Sequence, residues 1–332
     1  MQGNAPAGPH PFERLTPDLI LDAVESAGPR CDGRLLALNS YENRVYQVGL
    51  EEAAPVVAKF YRPQRWSDAA ILEEHAFARE LEEAEVPAVA PLAGPEGRTL
   101  HHHGGFRFAL YPKRGGRAPE LDRDDVLRRM GTFLARLHAV GARGRFEARE
   151  RLGVQGLGVD SMQWLLQAGT VPAELDPASR AVAGPALDAA RACFERAGAV
   201  AFIRLHGACH GGNGRWTDDG PHFVDLDDAR SGPAVQDLWM LLSGDAASQS
   251  RQLAVVLEGY EMFRAFDRAE LHLVEALRTL RLMHYAAWLA RRWDDPAFPA
   301  SFPWFAGARF WQDHVLALRE QVALMSEPPL AG

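Results

Sequence analysis

The chain has 332 residues, 47% of them hydrophobic and 24% charged, a globular mixture long enough for two domains sharing a cleft and unlike that of a disordered chain. Its net charge of -8 and isoelectric point near 5.9 exclude broad electrostatic attraction to nucleic acid. The three cysteines, Cys31, Cys193 and Cys209, are too scattered for a disulfide framework and suit a reducing compartment.

The opening MQGNAPAGPHPFERL lacks a secretion signal, and no stretch approaches the ~20 apolar residues of a membrane span. The expectation is a cytoplasmic monomer with neither nucleic acid nor membrane as partner. Residues 1–15, rich in Pro and Gly, read as a loose arm. Thr16-Pro17-Asp18 supplies a cap and first turn, predicting a helix through residue 27. Over 35–48 and 55–60 the runs Val45-Tyr46-Gln47-Val48 and Val56-Val57-Ala58, split by Glu51-Glu52, predict a hairpin. Residues 67–85 place Ala70, Ile71, Phe77, Ala78 and Leu81 at helical spacing, and Pro87 ends that helix.

Residues 89–92 and 106–111 return to strand composition, with His101-His102-His103 read as a solvated turn between them. Glycine-rich 112–117 reads as a hinge. Beyond Asp122 the periodicity turns helical, over 126–140, 184–198, 237–242, 253–266 and 269–293. Only 201–228 interrupts it, as a small sheet carrying loop chemistry would. The expected fold class is α+β, with a small β-rich N-lobe over 16–111 and a larger, mainly helical C-lobe over 118–332. The stripe Leu273, Ala276, Leu277, Leu280, Tyr285, Trp288 and Leu289 reads most simply as helix core, and Arg278, Arg281, Arg291 and Arg292 as solvent-facing.

The densest polar cluster is Leu205-His206-Gly207-Ala208-Cys209-His210-Gly211-Gly212-Asn213, followed by Phe223-Val224-Asp225-Leu226-Asp227-Asp228. It resembles the catalytic segment of the aminoglycoside phosphotransferase and choline kinase-like superfamily, H-G-D-x-x-x-x-N followed by a hydrophobic residue and a metal-binding Asp. The resemblance implies a bilobal protein kinase-like fold that binds ATP and Mg2+. By it, Asn213 and Asp225 hold the metal, His206 orders the loop and Asp237 braces it. Magnesium is a hard ion that prefers such oxygen donors and keeps part of its shell for phosphates. Asp227 and Asp228 either assist the metal or solvate the turn.

Upstream, Val56-Val57-Ala58-Lys59-Phe60 looks like the strand whose lysine meets the phosphates, with Glu74, or its neighbour Glu73, placed to hold Lys59. Alone, Lys59 would read as an ordinary surface lysine; the order Lys59, Glu74, Asn213, Asp225 is what carries weight. The 38–46 segment occupies the phosphate-loop position without a glycine fingerprint, leaving Ser40 and backbone amides for the phosphates. Tyr111, in the 110–113 stretch, would meet adenine.

Further strings narrow the resemblance: N-S-Y-E-N-R-V-Y at 39–46, K-F-Y-R-P at 59–63, F-V-D-L-D-D-A-R at 223–230, G-P-A-V-Q-D-L-W-M-L-L at 232–242 and R-R-W-D-D-P-A-F-P at 291–299. They are similar to the stress response kinase A family over nearly the whole chain. That implies a cytoplasmic, ATP-dependent serine/threonine protein kinase whose partner is a protein substrate. Two departures qualify it. Ala208 stands where the family has its base, the Asp of H-G-D-C-H, and a methyl group cannot accept a proton. Gly214-Arg215 follow Asn213 where the family continues with two apolar residues of a buried strand.

The expectation is a kinase impaired in turnover more than in nucleotide binding. The alternatives are a small-molecule kinase for an alcohol or aminoglycoside, and a nucleotide-binding pseudokinase read by a partner protein. His206 and His210, four apart around Cys209, fit a zinc site poorly. Neither a paired Cys motif nor H-E-x-x-H accompanies them, and Gly207, Gly211 and Gly212 argue against a rigid helix.

Overall fold

The structure is a computed structural model that describes residues 10–217 and 220–332; the first nine residues of the expected arm lie outside the described residues. In chain order the first third runs α1 (Pro17–Ser26), β1 (Cys31–Ala37), β2 (Arg44–Leu50), β3 (Val56–Phe60), α2 (Asp68–Glu83), β4 (His101–His103) and β5 (Phe106–Pro112). There follow α3 (Asp124–Gly141), α4 (Asp160–Gln167), α5 (Asp176–Ala197), β6 (Ile203–Leu205), β7 (Gly214–Thr217), β8 (Gly220–Phe223), β9 (Arg230–Gly232) and α6 (Val235–Trp239). The chain ends with α7 (Ala246–Tyr260), α8 (Val274–Ala290), α9 (Ala297–Ser301) and α10 (Ala308–Leu324). It divides into two compact units: one takes the chain up to Pro119 together with Phe146–Arg149 and Gly212–Asp228, the other the remainder. Among the described residues no helix is long and apolar enough to cross a membrane.

The first unit is organised by an antiparallel sheet in the order β1-β2-β3-β5-β4. Strand alternation sends Val48, Ala58, Phe60, Phe108 and Leu110 to one face, where they bury against Ile20, Ala23 and Val24 of α1. Phe60 and Phe108 stack there with ring centroids 5.3 Å apart. The Thr16 hydroxyl accepts the Leu19 N–H and Pro17 fills the first turn, so α1 begins where the sequence predicts. Residues 10–15, read as part of the arm, behave otherwise: Phe12 is 4% exposed and stacks on Phe106, because its ring buries more cheaply in this core than in water.

Two strand expectations are corrected. His101–His103 is not a solvated turn but the edge strand β4, with His101 opposite Phe108. The true turn is Gly104-Gly105, whose φ angles of 57° and 87° give the two left-handed positions a two-residue hairpin needs. Residues 89–92, expected as a strand, form none among the described residues: the Val89 N–H bonds to Phe223 O and the Leu92 N–H to Leu110 O, and Pro91 has no donor for a ladder. The expected hinge over 112–117 lies within the first unit, where Arg117 and Trp216 exchange backbone hydrogen bonds of 3.0 and 2.7 Å.

The second unit is mainly helical. Gly131 of α3 lies against Val256 O of α7, where a Cβ would sit 2.0 Å away, and Gly259 of α7 meets Arg128 O at 1.9 Å in the same sense. Glycine is therefore required at both places for the helices to touch backbone to backbone. Helix α5 starts at Asp176, ahead of the predicted 184, and carries Pro185 inside it. Helices α4 and α10 have no counterpart in the sequence reading, although Trp311, Val315 and Leu318 of α10 are buried at helical spacing.

Candidate active site

Within the first unit the register defines what surrounds Lys59. Lys59 lies opposite Val45 on one side and Ala109 on the other, and the Leu38 N–H bonds to Val45 O, so Leu38, Val45, Lys59 and Ala109 form one cross-strand row. Leu36, Gln47, Val57 and Tyr111 form the next row on the same face. Leu36 is 58% exposed and Leu38 36%, so this face carries an open apolar bed beside the lysine. The sequence reading missed it, although alternation counted outward from Lys59 would have found it.

Lys59 is buried, with its Nζ 3.0 Å from Asp225, 3.1 Å from Asp227 and 3.5 Å from Glu74. Burial alone would lower its pKa, but Asp225, Asp227 and Glu74 outweigh it and hold the ammonium well above the ordinary lysine value. Of the two glutamates, Glu74 reaches the lysine, whereas Glu73 accepts backbone N–H groups of residues 147–149. Asp225 has φ 60°, a left-handed setting uncommon outside glycine, and its carboxylate is half exposed.

Asn213 is tied to the residue before Asp225 through the β7–β8 pair, where Gly214 pairs with Phe223 and the Val224 N–H bonds to Asn213 O at 3.1 Å. Both strands persist despite Gly214-Arg215: Gly214 is buried, and the Arg215 side chain is exposed, avoiding the cost of a buried charge.

Asp227 does not merely solvate its turn. It is buried, and although burial raises its pKa, Arg65, Lys59 and Arg149 hold the carboxyl well below the usual range. Arg65 also bonds Asp228 at 2.6 Å and lies 3.7 Å from Glu42. Arg65 was not singled out from the sequence, because its two aspartate partners lie more than 160 positions away.

Ser40 donates to Asn43 O at 3.0 Å and so shapes the β1–β2 turn. The Tyr111 hydroxyl meets that of Tyr61 at 2.9 Å. Tyr61 in turn meets His75 Nε2 at 2.7 Å, and His75 Nδ1 meets Thr99 at 2.8 Å. Burial, then Lys59 and Arg149, depress the His75 pKa to about 3, so the folded imidazole stays neutral while the unfolded one protonates below about 6.5. Stability from this residue is therefore intact above about pH 6.5 and lost as the pH falls toward 3; about 2 kcal/mol should go between pH 7 and 5. Urea titrations at both pH values should show a smaller difference in His75→Gln.

In the second unit, Asp237 is fully buried and accepts the His206 N–H at 2.9 Å, the Gly207 N–H at 2.8 Å and His138 Nε2 at 3.1 Å. It lies inside the first turn of α6, so it does not cap that helix; its carboxylate fixes the loop carrying Ala208. Gly207 has φ 84°, and its carbonyl accepts from Gln236 at 3.0 Å. His206 and Ala208 are both buried, and burial pushes the Cys209 thiol well up, which suits packing better than nucleophilic work. His138, Gln236 and Glu270 were missed. Glu270, raised to about 7 by burial, accepts the Val235 N–H at 2.8 Å and so supports the start of α6.

Comparison with known proteins gives a consistent family. The sequence pattern of the phosphotransferase enzyme family matches residues 34–274. Stress response kinase A of Salmonella choleraesuis (strain SC-B67) and of Escherichia coli (strain K12) are each 46% identical over 319 residues, covering 96% of both chains. The serine/threonine protein kinase RdoA of Salmonella typhimurium matches equally well. Among solved structures, amicoumacin kinase hAmiN, in complex with AMP-PNP, Ca2+ and Ami, superposes with a TM-score of 0.71 at 16% identity, over 93% of each chain. Spectinomycin phosphotransferase APH(9)-Ia gives 0.65 at 11% identity, over 92% of this chain and 98% of that one. The α+β fold is thus that of kinase-like phosphotransferases.

Proposed function

The chain belongs to the stress response kinase A family of phosphotransferase enzymes, and on that premise we propose that it is an ATP- and Mg2+-dependent serine/threonine protein kinase of the cytoplasm, impaired in turnover by Ala208. The observation that carries the reading is the charged centre of the first unit, where buried Lys59, held by Glu74, faces the half-exposed carboxylate of Asp225. Lys59 would trade Asp225 and Asp227 for α- and β-phosphate oxygens while Glu74 keeps it in place. The bed of Leu36, Leu38 and Val57 suits a flat apolar base, and the Ser40 turn would cover the phosphates.

An amide oxygen from Asn213 and a carboxylate from Asp225 are the hard donors magnesium selects, and bound magnesium would supply neutralisation of phosphate charge. The missing carboxylate at Ala208 would have oriented the acceptor hydroxyl and taken its proton. That absence also favours a second reading, a nucleotide-binding pseudokinase acting through a partner protein.

Calorimetric titration should show Mg2+-dependent ATP binding by the chain, and Lys59→Met should weaken it about 10- to 100-fold, the value of charge-assisted phosphate contacts. Radiolabel transfer to a general protein substrate, beside simple alcohols and an aminoglycoside, reports the acceptor class. Absence of Mg2+-dependent ATP binding in the unaltered chain would overturn the proposal.

A further inference from the structure

Phe146–Arg149 belongs to the first unit although the chain on either side of it belongs to the second. Its last residue, Arg149, has a side chain with no exposed surface. Arg149 Nε donates to Ala70 O at 2.8 Å, Nη1 to Asp227 O at 2.9 Å and Nη2 to Glu74 Oε2 at 2.8 Å, while the guanidinium lies 4.5 Å from the centre of the Trp66 ring. The segment is gripped in return. Glu73 accepts the Glu147 N–H at 2.7 Å, the Ala148 N–H at 3.0 Å and the Arg149 N–H at 3.2 Å. Ala70, Glu73 and Glu74 stand three and four apart, on one face of α2.

A buried guanidinium is tolerated only with its donors matched, and here the partners come from two elements that bear on Lys59. One oxygen of Glu74 is taken by Arg149, which turns the other, Oε1, toward Lys59 at 3.5 Å. The carbonyl of Asp227 is taken as well, two residues after Asp225. Moving α2 away would break the Arg149 bonds to Ala70 and Glu74 and the Glu73 bonds to three backbone N–H groups together.

We infer that Arg149 is a positioning residue for nucleotide binding and phosphoryl transfer, clamping α2 to the 225–227 turn so that Glu74 and Asp225 meet Lys59 in register without a regulatory input. The inference rests on the proposed roles of Lys59 and Asp225. A lysine at 149 would keep the charge but not the planar fork that serves three acceptors, so Arg149→Lys should not preserve the clamp.

The test compares the chain with Arg149→Lys and Glu73→Gln by Mg2+–ATP calorimetry, hydrogen exchange over 68–83, and thermal melting. Arg149→Lys should bind Mg2+–ATP about 10- to 100-fold more weakly, the range for a lost charged hydrogen bond, and α2 should exchange faster. The gain in ATP affinity conferred by Mg2+ should shrink too, because the turn holding Asp225 is released. A merely structural role would lower the melting temperature and leave that gain at its parent value. Glu73→Gln should show the same pattern more weakly, and it carries the test if Arg149→Lys does not fold. Parent-like affinity and parent-like α2 exchange in the folded variants would overturn the clamp. A parent that binds no Mg2+–ATP would instead defeat the reading of Lys59 and Asp225, and the positioning role with it.

Discussion

Ala208→Asp should raise phosphoryl transfer by about 100- to 10,000-fold, the usual contribution of a general base, while leaving Mg2+–ATP affinity nearly unchanged. The backbone leading to position 208 is held independently of its side chain. Asp237 fixes the backbone at His206 and Gly207, and Gln236 holds the Gly207 carbonyl, all without the residue at 208. The groups proposed for the nucleotide, Lys59, Glu74 and Asp225, form their own paired cluster and do not depend on that side chain. Because position 208 is only 4% exposed, the new carboxylate should also lower stability by about 1–3 kcal/mol, the cost of an incompletely satisfied buried polar group. Radiolabel transfer and urea titration on the same preparations read both effects. Intact ATP binding with no gain in transfer would favour the pseudokinase reading.

The sequence was most legible where a contact is local or where chain order carries information. The cap at Thr16, the helix over 67–85 and the strand carrying Lys59 each announce themselves within a few residues. Lys59, Glu74, Asn213 and Asp225 were singled out by their order and motif, not by anything that shows them touching. What stayed hidden depends on long-range pairing. Arg149 meets Glu74 across 75 positions and His138 meets Asp237 across 99, and neither Arg149 nor His138 is marked by spacing or composition.

The His101–His103 strand was hidden for another reason: three imidazoles suggest a solvated turn, while the adjacent Gly104-Gly105 pair is the stronger local signal for a hairpin. The segment 89–92 shows the reverse error. Its composition is strand-like, but ladder formation needs N–H donors that Pro91 cannot give.

Removing the carboxylate at 237 should produce the largest loss of stability. Asp237→Ala leaves the His206 N–H, the Gly207 N–H and His138 Nε2 without their acceptor in a fully buried place, where each orphaned donor costs about 1–3 kcal/mol. Water entering the space left behind recovers part of this, so a net loss of about 3–5 kcal/mol is expected from urea unfolding, as for two or three buried donors left without an acceptor. Asp237→Asn keeps one acceptor oxygen but turns an NH2 group toward a donor, so it should lose less than the alanine variant and still fall below the parent.

The two substitutions also interact, which separates a loop anchor from a residue that merely stabilises its own helix. If Asp237 sets the loop at 206–207, the gain from Ala208→Asp should largely vanish when Asp237→Asn is added, because the new carboxylate would no longer be held where an acceptor hydroxyl needs it. If Asp237 served only α6, the gain would survive in the folded double variant. Transfer assays below the unfolding range, on all four combinations, distinguish these outcomes through their coupling rather than through either variant alone.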